Sequence, residues 1–141
     1  MGLLPGDQVT LRGLAVGMLL HSGNDSADAA AVKVGGSTEG FVAMMNERAA
    51  EMGLADTHFA TPSGLDADDH YSSAYDMAVL AKNALSNEDF LEICSTVKTQ
   101  IAFGNPPYDR WLKNHNRLLE EYDGCIGVKT GFTKKAGRCL V

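Results

Sequence analysis

Along the first ninety or so positions, apolar residues recur at the three-to-four spacing of amphipathic helices. After residue 95 the repeat shortens towards the alternation of strands. Leu11, Leu14, Ala15, Met18 and Leu19 fall at i, i+3, i+4, i+7 and i+8, and Thr10 stands where an N-cap belongs, so this spacing predicts a helix opening at Leu11. His21-Ser22-Gly23-Asn24 interrupts it, with Gly23 as the break and Asn24 or Asp25 as the next cap. A second helix carries Ala27, Ala30, Ala31 and Val34 on one stripe and ends at Gly35-Gly36. A third starts at Ser37 or Thr38 and turns Phe41, Met44, Met45, Ala49 and Met52 inward, a Met-rich stripe that reads as core. Residues 55–72 have turn chemistry around Thr61-Pro62-Ser63-Gly64.

Ser73 with Asp76 forms a capping-box pattern ahead of Met77, Leu80, Ala81 and Ala84, and a short helix is expected near Asn87 to Cys94. Strands are expected at Thr96 to Phe103, Cys125 to Phe132 and Gly137 to Val141, with Gly104-Asn105-Pro106-Pro107 as a turn. Helices followed by strands give an α+β class: residues 1–95 mainly helical, residues 96–141 the sheet part.

Composition narrows the partners. The chain has 141 residues and a net charge of -6, which lacks the basic face that a nucleic-acid backbone requires. No run approaches the roughly 18 apolar residues of a membrane span, and no basic flank precedes an apolar stretch at the N-terminus. Cys94, Cys125 and Cys139 form no CxxC pair and have no zinc-ligand spacing with His21, His58, His70 or His115. Their odd count favours free thiols, and neither metal nor cofactor is expected.

Two short motifs carry candidate chemistry. Ser22-Gly23-Asn24 places a hydroxyl and a carboxamide two residues apart at a break between helices, from which both can be aimed into one cleft. Taken alone, these residue types also serve as ordinary helix caps. Lys129-Thr130-Gly131 lies on the expected strand from Cys125. Alternation would put Lys129 on one face with Gly127 and Gly131, its ammonium free to project into an open groove. Taken alone, this is a surface lysine beside a bend.

The pair in this order resembles the S-x-N and K-T-G elements of the penicillin-recognising serine enzymes. Flanking residues sharpen the resemblance to the low-molecular-weight D-alanyl-D-alanine carboxypeptidases, peptidase family S11: Leu19 to Asp25, Thr57-His58-Phe59, Pro62 to Asp66, His70 to Asp76, Asn114 to Leu119 and Gly127 to Gly137. The resemblance implies a β-lactamase/transpeptidase-like fold, here a helical subdomain plus part of an antiparallel sheet. It implies attack by an S-x-x-K serine on the bond between two D-alanines of a peptidoglycan pentapeptide, an acyl-enzyme, inhibition by β-lactams, and an extracytoplasmic location. Ser22 would relay a proton to the leaving amine. Asn24 would orient the substrate amide, and Lys129 would keep the groove electropositive. Thr130, with Gly131 beside it, would meet the substrate's carboxylate, and the Phe132 N–H would supply half of the oxyanion hole.

The family carries S-x-x-K well before S-x-N, yet no serine precedes Ser22, so the resemblance implies an internal fragment that lacks its nucleophile and is inactive alone. Ser95-Thr96-Val97-Lys98 matches S-x-x-K literally but follows S-x-N, at an expected helix-to-strand junction. A triad from Ser63, His58 and Asp66 can be assembled on paper without a G-x-S-x-G elbow, and Asp66 and His70 read more simply as loop polar groups. A class A-like β-lactamase and a non-catalytic peptide- or β-lactam-binding module remain as alternatives.

Overall fold

The computed structural model describes residues 1–141. Five helices come first: α1 (Leu11–Leu19), α2 (Asn24–Gly35), α3 (Thr38–Glu51), α4 (Ala74–Ala84) and α5 (Glu88–Ser95). A hairpin of β1 (Lys98–Gly104) and β2 (Pro107–Lys113), a one-turn α6 (Leu118–Glu121) and a second hairpin of β3 (Thr130–Thr133) and β4 (Gly137–Leu140) follow. Three caps are where the sequence puts them, at Thr10, Ser37 and Ser73, and Asn87 does the same for α5: each side chain accepts a backbone N–H from the first turn of its helix. The class is α+β, with two separate two-stranded antiparallel sheets.

The buried faces differ from the expected stripes in places. On α1 the buried positions are Gly13, Leu14, Val16 and Gly17, and Leu11 is exposed. The cause is close packing on α2: a Cβ at Gly17 would lie 2.5 Å from Ser26 Oγ, so this helix turns its glycine face to its neighbour. Val34 on α2 is exposed, whereas Ala27, Ala30 and Ala31 are buried. The α2 cap is Gly23, without a side-chain bond. Asp25 instead accepts the N–H groups of Gly2 and Leu3, at 2.6 and 2.8 Å. Along α3 only Ala49 is buried. Phe41, Met44 and Met45, with Phe59 and Leu80, line an open apolar groove of about 320 Å³ rather than a closed core. Asp76 does not reach back to its cap; its carboxylate crosses to the Asp56 N–H and the Thr57 hydroxyl, at 2.9 and 2.7 Å.

The sheet part departs further. Strand β2, with Tyr108, Arg110 and Leu112 opposite Phe103, Ile101 and Thr99, was not anticipated, nor was α6. Residues 125–129 are not strand, and β3 starts at Thr130. Gly127 has φ 143°, a conformation reserved for glycine, and a Cβ there would stand 2.9 Å from Cys94 Sγ. That turn breaks the alternation from which the face of Lys129 was read.

The core that matters for the site is small: Val16, Leu20, Ile93 and Leu112, with Ala15, Leu19 and Ile101 against them. It joins the end of α1 to α5 and the first hairpin. Leu20 is fully buried one residue past α1, so it anchors the turn that carries Ser22. Leu20→Ala is expected to cost about 2–5 kcal/mol, read as a lower midpoint in denaturant unfolding. A cost below about 1 kcal/mol would show that this cluster does not hold the turn.

Candidate active site

The turn after α1 holds Ser22 in the left-handed region, at φ 53°, and leaves it exposed. The backbone is pinned on either side of it: the Gly23 N–H donates to Gly17 O at 3.0 Å, and the His115 N–H donates to Leu20 O at 3.1 Å. Asn24 opens α2 and stays exposed, with no side-chain partner in the protein.

Lys129 comes from the other end of the chain. Its backbone is held against Val141, donating to Val141 O at 3.2 Å and accepting from the Val141 N–H at 3.0 Å, which extends the β3–β4 pairing by one residue. Its ammonium donates to Ser22 Oγ at 2.5 Å and to Thr130 O at 2.5 Å. The two motifs, 107 residues apart in sequence, thus meet through one hydrogen bond. Burial pushes the Lys129 pKa down from the usual lysine range.

Ser22, Asn24, Lys129, Thr130, Gly131 and Phe132 all line one cleft of about 730 Å³, so the structure brings every candidate residue to the same place. Strand β3 pairs with β4 on one edge only, and Phe132 is 69% exposed. The cleft also holds residues that sequence reasoning missed. His115 lines it, with its ring tilted against His21 at 5.4 Å between centroids. Burial first, then the neighbouring positive groups, lowers the His21 pKa. Pro62 to Leu65 add a loop wall to it.

Asp66 is more than a loop polar group, because its carboxylate accepts the Thr133 hydroxyl at 2.8 Å and ties that wall to β3. One of the two lysines in the 134–136 turn adds an ion pair, Lys135 to Asp68 at 3.4 Å. A polar residue in a loop gives no sign in sequence of which strand it will face.

The decoys stay apart. The Ser95 hydroxyl donates to Glu92 O, and the Lys98 ammonium lies over the Trp111 ring at 4.6 Å. His58 Nδ1 is bonded to Asp69 O, and Asp66 is engaged with Thr133, so neither is bonded to Ser63. No group of three or more His, Cys, Asp or Glu side chains converges as a metal site, and no helix is long and apolar enough to cross a membrane.

The loop wall has a titratable support. His70 Nδ1 accepts the N–H groups of Ala60 and Thr61, at 3.0 and 3.4 Å, so its proton sits on Nε2. Burial first, then His58, lowers its pKa, against the opposite pull of Asp69 and Asp66. As pH falls below about 6.5 the unfolded chain takes this proton before the folded one does, so stability drops from there down to the lower folded pKa. Between about pH 7 and pH 5, melting temperature is expected to fall less steeply in His70→Gln than in the parent. Parallel curves would remove His70 from the acid response.

Comparison with protein families matches residues 1–141 to peptidase S11, the D-alanyl-D-alanine carboxypeptidases. The chain belongs to this family. Among S11 relatives, it is 43% identical over 138 residues to the D-alanyl-D-alanine carboxypeptidase DacF of Bacillus subtilis, covering 98% of this chain and 35% of that protein. It is 38% identical over 143 residues to DacB2 of Mycobacterium tuberculosis, covering 100% of this chain and 48% of that one. A mutant DD-transpeptidase of Streptomyces K15 superposes with a TM-score of 0.94 at 34% identity, over 99% of this chain and 57% of that one. The S11 chain therefore has the transpeptidase-like fold and spans about half or less of the length of these curated relatives.

Proposed function

We propose that the Ser22–Lys129 cleft is the substrate groove of a serine-type D-Ala-D-Ala carboxypeptidase that acts on peptidoglycan stem peptides through an acyl-enzyme. The observation that carries this is the hydrogen bond joining S-x-N to K-T-G at the mouth of one cleft. Because the Lys129 ammonium donates to Ser22 Oγ, the serine's own proton is free to point into the cleft. That is the arrangement a departing amine needs from a proton relay. Asn24 offers an unpartnered carboxamide to the substrate amide. The free edge of β3 suits an extended peptide that adds to the sheet, with Thr130 at its carboxylate, Gly131 admitting the backbone and the Phe132 N–H facing the oxyanion.

Neither serine of the cleft is a family nucleophile, since Asp25 and Asp66 stand three residues after Ser22 and Ser63 where S-x-x-K requires lysine. The S-x-x-K serine is therefore supplied from outside these 141 residues, which act as part of a larger DD-peptidase domain. β-Lactams would acylate that serine. Peptidoglycan lies outside the cytoplasmic membrane, so the work is extracytoplasmic.

The test is a chimera in which this chain replaces its 138-residue counterpart in the Bacillus subtilis carboxypeptidase. The chimera is expected to release D-alanine from a peptide ending in D-Ala-D-Ala and to gain a penicillin adduct by intact mass. The 141-residue chain alone is expected to gain none, with or without Ser95→Ala. A folded chimera that releases no D-alanine would sink the proposal. An adduct on the chain alone that vanished in Ser95→Ala would make Ser95 the nucleophile.

A further inference from the structure

Asn114 and Asn116, on either side of His115, have none of the roles above, yet both are buried, at 6% and 3% exposure. A buried amide is costly unless its donors and acceptors are engaged, and theirs are. Asn114 Nδ2 donates to Cys94 O and Thr96 O, each at 3.1 Å, which fixes the segment to the end of α5. Asn114 Oδ1 accepts the Asn116 N–H at 2.9 Å. Asn116 Oδ1 in turn accepts the Leu118 N–H at 3.2 Å, and Asn116 Nδ2 donates to Gly127 O at 3.1 Å.

Two of the segment's bonds reach the site from opposite sides. The His115 N–H holds Leu20 O, two residues before Ser22, and Asn116 Nδ2 holds Gly127 O, two residues before Lys129. The only bond that joins the Ser22 and Lys129 segments directly is the flexible Lys129 side chain itself. We propose that Asn116 is a positioning residue that locks the Lys129 segment to the Ser22 turn. Asn114 anchors the clamp to the scaffold and Asn116 is its arm. The inference rests on the Ser22–Lys129 pair being the site, but not on which substrate enters it.

The arm sets how far the Lys129 ammonium is withdrawn from water. Its loss therefore reads out in the titration of that lysine, whether or not the peptidase assignment holds. The experiment follows Lys129 by NMR across alkaline pH in the chimera described above, labelled on its lysines, with the signal assigned by Lys129→Arg. Three variants accompany the parent. Asn116→Ala removes the whole amide. Asn116→Ser keeps a hydroxyl beside the Leu118 N–H but cannot span to Gly127 O, and it carries the same test if the alanine variant does not fold. Leu54→Ala, at a buried position just past the end of α3 and beside the apolar groove, lowers stability without touching the clamp.

The expected result is that Lys129 titrates closer to the ordinary lysine range in the Asn116 variants, while Leu54→Ala melts earlier and leaves Lys129 where it was. An unmoved Lys129 in folded Asn116→Ser, or an equal shift in Leu54→Ala, would overturn the proposal and leave Asn116 a purely structural residue.

Discussion

Replacing Lys129 by alanine is expected to lower kcat for D-alanine release roughly 10²–10³-fold in the chimera, the cost of removing a preorganised electrostatic group from a partly dehydrated site. The argument starts from two contacts, to Ser22 Oγ and Thr130 O, and from burial that already strains the charged form. An ammonium partly withdrawn from water interacts more strongly with charge that develops beside it. The loss should fall on kcat and on the rate of penicillin acylation more than on KM, since the ground-state peptide also has the free edge of β3 and Thr130. Lys129→Arg should not restore activity, because a planar guanidinium cannot fit the compact position between a hydroxyl and a carbonyl. Lys129 is not part of the core, so circular dichroism and the melting midpoint should change little. A kcat within a few-fold of the parent would remove Lys129 from the chemistry.

The legible parts of this molecule were those governed by local rules. Thr10, Ser37 and Ser73 cap their helices because a side-chain oxygen one residue before a helix has one obvious partner. The motif residues stood out only as an ordered pair that resembles S-x-N and K-T-G; each alone also reads as a helix cap or a surface lysine. What local pattern could not give was direction. Leu11 and Leu14 share a helical stripe, but only Leu14 is buried, because Gly17 lets Ser26 of α2 close onto the adjoining face.

Likewise Lys129 reaches Ser22 by a route that alternation did not describe. Gly127 turns the backbone, and the strand begins only at Thr130. Asp66 was weighed only in a triad it does not form, and His115 and Asn116 were not singled out as site residues, for a common reason: each meets a partner at least ten residues away, and nothing in the neighbouring sequence marks that partner. The α3 stripe was read as core because apolar periodicity reports that a face avoids water, not what covers it. Here it borders an open groove.

Removal of the Ser22 hydroxyl is expected to cost roughly 10²–10⁴-fold in kcat for an amide substrate, the range for loss of a positioned proton donor. Ser22→Gly isolates the effect better than Ser22→Ala. A serine at φ 53° carries about 1–2 kcal/mol of left-handed strain that glycine does not. The glycine costs about 0.5–1 kcal/mol in unfolded-chain entropy. The glycine variant should therefore fold at least as stably as the parent while losing most of its activity, so that low activity cannot be ascribed to unfolding.

Strain held at one residue of a cleft, where relieving it abolishes the reaction, is what a functional outlier predicts. The leaving group gives a second discriminator. An amine must gain a proton as the carbon–nitrogen bond breaks, whereas an alkoxide-type leaving group needs that help less. A substrate with an ester in place of the scissile amide should thus lose far less rate in Ser22→Gly than the peptide does. Equal losses on both would assign Ser22 to substrate alignment rather than proton relay.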